Sequence, residues 1–161
     1  MSTRSMIAVM HGNKAKAVYC HWDGYVAHNG AILVEHYDSV KANKLVSMGD
    51  ISSLRPNIGE AHAFSSLDTE MPAEEYEEIY GDMCTFYGRD RGEEGCEYKS
   101  FQSLHDLLDN AESRWCEYVY ILRGNEWFYS KRTVVENGDE FESIWTPLEF
   151  VSAAMKVEEA V

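Results

Sequence analysis

The chain has 161 residues, 45% of them hydrophobic and 12% aromatic, enough to bury a sizeable core and to set aside wholesale disorder. Arginine and lysine number 14 against 28 aspartates and glutamates, a formal net charge of -14. That balance argues against a basic face gripping DNA, RNA or an anionic membrane, because such binding runs on Lys/Arg contacts to phosphate.

The acid is unevenly placed. Residues 1–59 carry +2, residues 60–112 carry -12 and residues 113–161 carry -4. The excess lies in runs such as Glu74, Glu75, Glu77, Glu78 and Glu93, Glu94, Glu97. Such a tract is either a solubilising surface or a negative face that meets a basic partner.

Met1 to Met10 holds Arg4 but no apolar run of signal-peptide length, and no stretch approaches the roughly 18 to 20 apolar residues of a membrane span. Cytosolic placement is the expectation. Cys20, Cys84, Cys96 and Cys116 are widely spaced with no CxxC pair, so reduced thiols, no metal and no cofactor are expected.

Residues 5–10 and 16–22 read as two strands around the turn His11-Gly12-Asn13. Alternation puts Val18, Cys20 and Trp22 on one face, with Tyr19 and His21 on the other. Asp23-Gly24 breaks the strand. Asn29 caps a helix whose apolar side includes Ile32, Leu33, His36 and Tyr37; Asp38-Ser39 either interrupts this helix or begins a second, which ends at Gly49. Residues 50–70 read as a flexible loop. Pro72 opens an acidic helix with Tyr76, Ile79 and Tyr80 on one side, closed by Gly81.

Residues 83–87 allow a strand, and Gly88 to Gly95 reads as a loop. Ser100 caps an amphipathic helix carrying Phe101, Leu104, Leu107, Leu108 and Ala111. Strands over 115–122, 126–135 and 141–145 are joined at Gly124-Asn125 and Asn137-Gly138 into a meander. Thr146, Pro147 and Glu149 form the start signal of a final helix. The fold expected is a single α+β domain over 1–161. Its antiparallel sheet is built from the N-terminal hairpin and the C-terminal three-stranded meander, with helices packed on one face.

Three groups carry chemistry. The densest is Cys20-His21-Trp22-Asp23-Gly24-Tyr25 with His28 and His36. A thiol, histidines and a carboxylate there are the materials of nucleophilic catalysis, and Cys20, His21, Asp23 and His36 are its candidate residues. The plainer reading places Cys20 and Trp22 in the core and turns the chain at Asp23-Gly24. Arg89 and Arg91 alternate with acids and would clamp an anion or relieve local acid repulsion. The aromatics of 115–129 either pack the core or expose a binding stripe. No Walker loop, GxGxxG, HExxH, GxSxG or EF-hand loop occurs.

Arg4-Ser5, Tyr19-Cys20-His21-Trp22-Asp23-Gly24-Tyr25, Asn29-Gly30, His36-Tyr37 and Gly49-Asp50-Ile51-Ser52-Ser53-Leu54 resemble a family of small accessory proteins of tailed bacteriophages. Arg89-Asp90-Arg91-Gly92-Glu93 is similar to a second block of that family. The likeness covers about the first 55 residues and this short block. Val26-Ala27-His28 departs from it, where a proline near Tyr25 is expected. The resemblance implies the cytoplasm of an infected bacterium and action on host machinery, and it supplies no catalytic residues.

Two functions follow as expectations. The first is a non-enzymatic protein that inhibits or redirects a host or antiviral-defence protein. Its negative face would be Glu74, Glu75, Glu77, Glu78, Glu93 and Glu94, which could imitate nucleic acid to a basic partner. The alternative is a small enzyme or ligand-binding protein centred on Cys20–Tyr25 and Arg89, with Arg4, Tyr25, Arg89 and Arg91 as ligand contacts. Monomer and homodimer both fit the sequence, as does a minor virion role, ranked third.

Overall fold

The computed structural model describes residues 2–160. Nine strands are present among them: β1 (Ser5–His11), β2 (Lys14–Cys20), β3 (Ile51–Ser53), β4 (Thr85–Phe86), β5 (Lys99–Phe101), β6 (Tyr118–Arg123), β7 (Glu126–Asn137), β8 (Glu140–Trp145) and β9 (Glu149–Phe150). Six helices accompany them: α1 (Ala31–His36), α2 (Ser39–Ser47), α3 (Ala73–Tyr80), α4 (Tyr87–Arg91), α5 (Leu104–Ser113) and α6 (Val151–Ala160). The class is α+β.

The strands form one sheet in the order β4-β3-β2-β1-β6-β7-β8, with β5 also on β2 and β9 on β7. The sheet is mixed rather than antiparallel. β1 runs parallel to β6, from Ser5 opposite Tyr118 to Val9 opposite Leu122, and β2 meets β3 in parallel at Cys20 and Ile51. Alternation of apolar residues sets which face a side chain takes, but it is the same for both strand directions.

Helices cover both faces, not one. Ile7, Val9, Val18, Cys20, Tyr120 and Leu122 pack with Leu33 of α1, Leu45 and Val46 of α2 and Val151 of α6. Met6, Ala8, Ala15, Ala17, Val119 and Ile121 pack with Leu107 and Ala111 of α5. β1 is therefore buried at six successive residues, as expected of a central strand covered on both sides.

Several element boundaries differ from the sequence reading for local reasons. Phe101 is drawn into β5 opposite Ala15, so α5 starts later and Ser103 is its cap, accepting from the Asp106 amide at 3.2 Å. Thr146 does not cap α6. Its hydroxyl accepts from the Lys131 amide (2.9 Å), its own amide donates to the Lys131 carbonyl (2.9 Å) and its carbonyl accepts from Ser130 Oγ (2.6 Å), tying it to β7. Tyr87–Arg91 is helical, and Gly92 ends it at φ 72°. Asp38 caps α2 through the Lys41 amide, 2.8 Å away. Asn29 is no cap: it lies in a π-helical turn, Val26–Gly30, that runs straight into α1. Residues 50–70 hold β3 and a bridge between Asn57 and Met83. Beyond Lys131, β7 continues with β8 as a two-stranded ribbon.

Candidate functional site

The segment after β2 follows the sheet and then turns sharply. The amides of His21 and Trp22 donate to the carbonyls of Ile51 (3.0 Å) and Ser52 (3.1 Å). Asp23 then adopts φ 56°, a region an aspartate tolerates better than most residues. Gly24 donates its amide to Thr3 O at 2.8 Å, so closely that a Cβ would stand 2.8 Å from that oxygen and 2.9 Å from Ser5 Cβ. Only glycine fits there without displacement. The Tyr120 hydroxyl, reaching across from β6, donates to Gly24 O at 2.6 Å.

Beneath this turn lies a buried polar hub. Asn29 Nδ2 sits 3.3 Å from Ser5 Oγ, 3.4 Å from Cys20 Sγ and 3.4 Å from Trp22 O. Asn29 Oδ1 accepts from His28 Nδ1 at 2.9 Å, which leaves His28 Nε2 as acceptor for Arg55 Nη1 at 3.2 Å. Asp23 Oδ2 stands 4.0 Å from the same Nε2. A chain of contacts thus runs from Arg55 through His28 and Asn29 to Cys20.

The candidate catalytic residues are not gathered as reacting groups. Cys20 is fully buried, and burial pushes its thiol up to about 12, so it is a thiol at neutral pH rather than the thiolate a nucleophile needs. His21 faces away from it, with Nδ1 2.8 Å from the Tyr19 hydroxyl, and burial followed by the nearby Arg4 charge lowers its basicity. His36 is exposed beside Glu35 (3.9 Å), not on the apolar side of its helix. Trp22 is 44% exposed, contrary to the core placement, and Tyr25 is also exposed.

The two arginines of 89–91 have separate structural partners. Arg89 forks onto Asp90, with Nε 2.9 Å from Oδ1 and Nη2 3.2 Å from Oδ2. Its remaining bonds reach the carbonyls of Ile58 (3.0 Å), Gly59 (3.1 Å) and Cys84 (3.0 Å). Asp90, with its side chain wholly buried, also accepts from the amides of Phe86 (2.8 Å) and His62 (3.1 Å). Arg91 pairs with Glu93 at 2.7 Å and lies over the rings of Phe64 and Tyr87.

His62, absent from the sequence candidates, is the centre of that region. Its ring is buried, with Nδ1 2.8 Å from Ala63 O, Nε2 3.1 Å from Cys84 O and the Asp90 carboxylate 3.9 Å away. It stacks on Tyr80 at 5.0 Å and meets Tyr76 edge-on at 6.3 Å. These contacts fasten α3 to the body through its aromatic side. Glu74, Glu75, Glu77 and Glu78 consequently all face solvent, as do Glu93 and Glu94. A single histidine between two alanines gives no sequence signal for such a role.

The hairpin aromatics are mostly core. Tyr118, Tyr120 and Tyr129 form a ladder with centroids 6.2–6.4 Å apart, and Trp127 Nε1 donates to Tyr37 O at 3.0 Å. Trp115 is the exception and stands exposed. Among the described residues no helix is long and apolar enough to cross a membrane. Comparison with protein-family models, with curated proteins and with solved structures finds no match to this chain.

Proposed function

We propose that this chain is a non-enzymatic accessory protein of a tailed bacteriophage. In the infected cell's cytoplasm it binds a host or antiviral-defence protein through a negative face, in the manner of a nucleic-acid mimic, and so inhibits or redirects it. The observation that carries this reading is the mounting of α3. His62, Tyr76 and Tyr80 hold its inner side, while Glu74, Glu75, Glu77 and Glu78 stand outward on a fixed helix. Fixed charges of one sign steer and orient a basic partner without the ordering cost of a disordered acidic tract.

The enzyme alternative draws on residues that already have other work. Cys20 is buried as a thiol, and Arg89 spends its donors on Asp90 and three carbonyls. The test is capture from infected-cell lysate by the wild-type chain and by a Glu74→Lys, Glu75→Lys, Glu77→Lys, Glu78→Lys variant. Wild type should retain a specific protein at about 0.1 M salt and release it near 1 M, where the screening length falls from roughly 10 to 3 Å. Retention of the same partner by the reversed variant would refute the role of α3.

A further inference from the structure

At the end of α5 the sequence makes an unusual choice. The Trp115 amide bonds to Glu112 O (3.1 Å) and the Cys116 amide to Ala111 O (2.9 Å), a paired closure that places Trp115 in the left-handed region at φ 61°. Glycine is the residue this position favours. The indole is 70% exposed, so packing does not account for a bulky side chain there.

Three strands bring charged residues beside it. The Glu117 amide donates to Arg4 O (2.9 Å) and the Arg132 amide to Glu117 O (2.8 Å), which aligns in one row the residues just before β1 and β6 and Arg132 of β7. With Ser2 and Trp115 they line an open depression of about 440 Å³. Among the described residues neither Arg4 nor Arg132 has a carboxylate within ion-pair distance, in a chain with 28 acids. Among the described residues Arg132 Nε is buried with no acceptor, and so is Nε1 of Trp145, its cross-strand neighbour. Buried donors are rarely left so. Burial holds the Cys116 thiol at about 12, while Arg114, Arg4 and Arg132 all pull against that rise.

We propose that this corner binds a ligand of the nucleotide class. The phosphate lies between the guanidinium groups of Arg4 and Arg132, which match its oxygens in pairs. The planar base lies against the Trp115 ring. Glu117 accepts from a ribose hydroxyl or a base amino group. A single nucleotide is the occupant rather than a nucleic-acid strand, because a chain of net charge -14 repels an extended polyanion. This site is independent of α3 and of any protein partner.

Two-dimensional ¹⁵N–¹H spectra of the intact chain report the indole and arginine Nε protons directly. Adenosine and guanosine monophosphates, inorganic phosphate and adenosine are titrated separately, to about 10 mM, ten times a Kd of about 1 mM. A nucleoside monophosphate should shift the Trp115 indole and Arg132 Nε signals together, and bind at least roughly tenfold tighter than phosphate or adenosine alone. Arg132→Gln should lower that affinity by roughly tenfold or more. Trp115→Gly should also lose it, while easing the backbone and so keeping the fold. Three outcomes overturn the proposal: no saturable shift with either nucleotide, equal affinity for phosphate and nucleotide, or full affinity in Trp115→Gly.

Discussion

Replacing Asp90 by alanine removes the acceptor for four hydrogen bonds: two from Arg89 (2.9 and 3.2 Å) and one each from the amides of Phe86 (2.8 Å) and His62 (3.1 Å). Arg89 keeps its three carbonyl partners but its charge loses the carboxylate it forks onto, in a setting where the side chain is 13% exposed. Breaking one partner of a buried ion pair costs about 3–5 kcal/mol, and the two orphaned amides do not add in full because the segment relaxes. Against a total stability of roughly 5–15 kcal/mol, Asp90→Ala should sit close to unfolding. With a urea slope of about 1.5 kcal/mol per molar, its midpoint should fall by about 2–3 M. Arg91→Ala is the matched control. Its ion pair with Glu93 is half exposed, and its loss should cost about 1 kcal/mol or less. Urea unfolding followed by tryptophan fluorescence measures both. A midpoint for Asp90→Ala within about 0.5 M of wild type would refute the structural assignment and return Arg89 to the pool of free ligand clamps.

Two further outcomes follow from burial. Burial raises all four thiols, Cys20 and Cys116 to about 12, and only Cys96 is partly accessible. Native protein at pH 8 should therefore release one thiol to an aromatic disulfide reagent and the remaining three only after denaturation, and a second fast thiol would contradict this. The linkage has a definite sign: a folded-state value near 12 against 9.0 unfolded gives stability that is complete below pH 9 and declines as pH rises toward 12. The urea midpoint should fall across that window, and less steeply in Cys20→Ala. Gly24→Ala should lose about 1–3 kcal/mol through overlap with Thr3 O and Ser5 Cβ. Gly12→Ala, where a Cβ meets nothing within 4 Å but φ is +66°, should lose about 1 kcal/mol, and calorimetric melting of the two variants should rank them in that order.

The parts of the fold legible in the sequence are those whose signal is local. α3 starts after Pro72 and stops before Gly81, because a fixed φ and a missing donor suit the first turn and a glycine releases the last. α2 begins where Asp38 supplies an acceptor to an unpaired amide. Sheet direction had no such signal. β1 joins β6 in parallel through a connection of more than a hundred residues, and alternation carries no information on strand polarity. The same holds for the second buried face. β1 reads as a hydrophobic run, and only its neighbours decide that Met6 and Ala8 meet α5 while Ile7 and Val9 meet α1 and α2.

The site was legible in composition but not in assignment. Cys20, His21, Asp23 and His28 are dense in sequence, yet strand geometry separates Cys20 from His21, and burial fixes Cys20 as a thiol. Asn29, whose amide joins Ser5, Cys20 and Trp22, could be read only as a helix cap, since nothing local shows that its neighbours at positions 5 and 20 lie within reach. Arg89 and Arg91 look equivalent in sequence, but one is spent on a buried aspartate and the other on an exposed glutamate. Arg4 and Arg132 lie 128 positions apart, joined only by the register of three strands. Trp115 offered one local clue, a large aromatic immediately after a helix whose closure favours glycine. A residue that costs backbone energy and gains no packing is where selection for something other than folding should be sought.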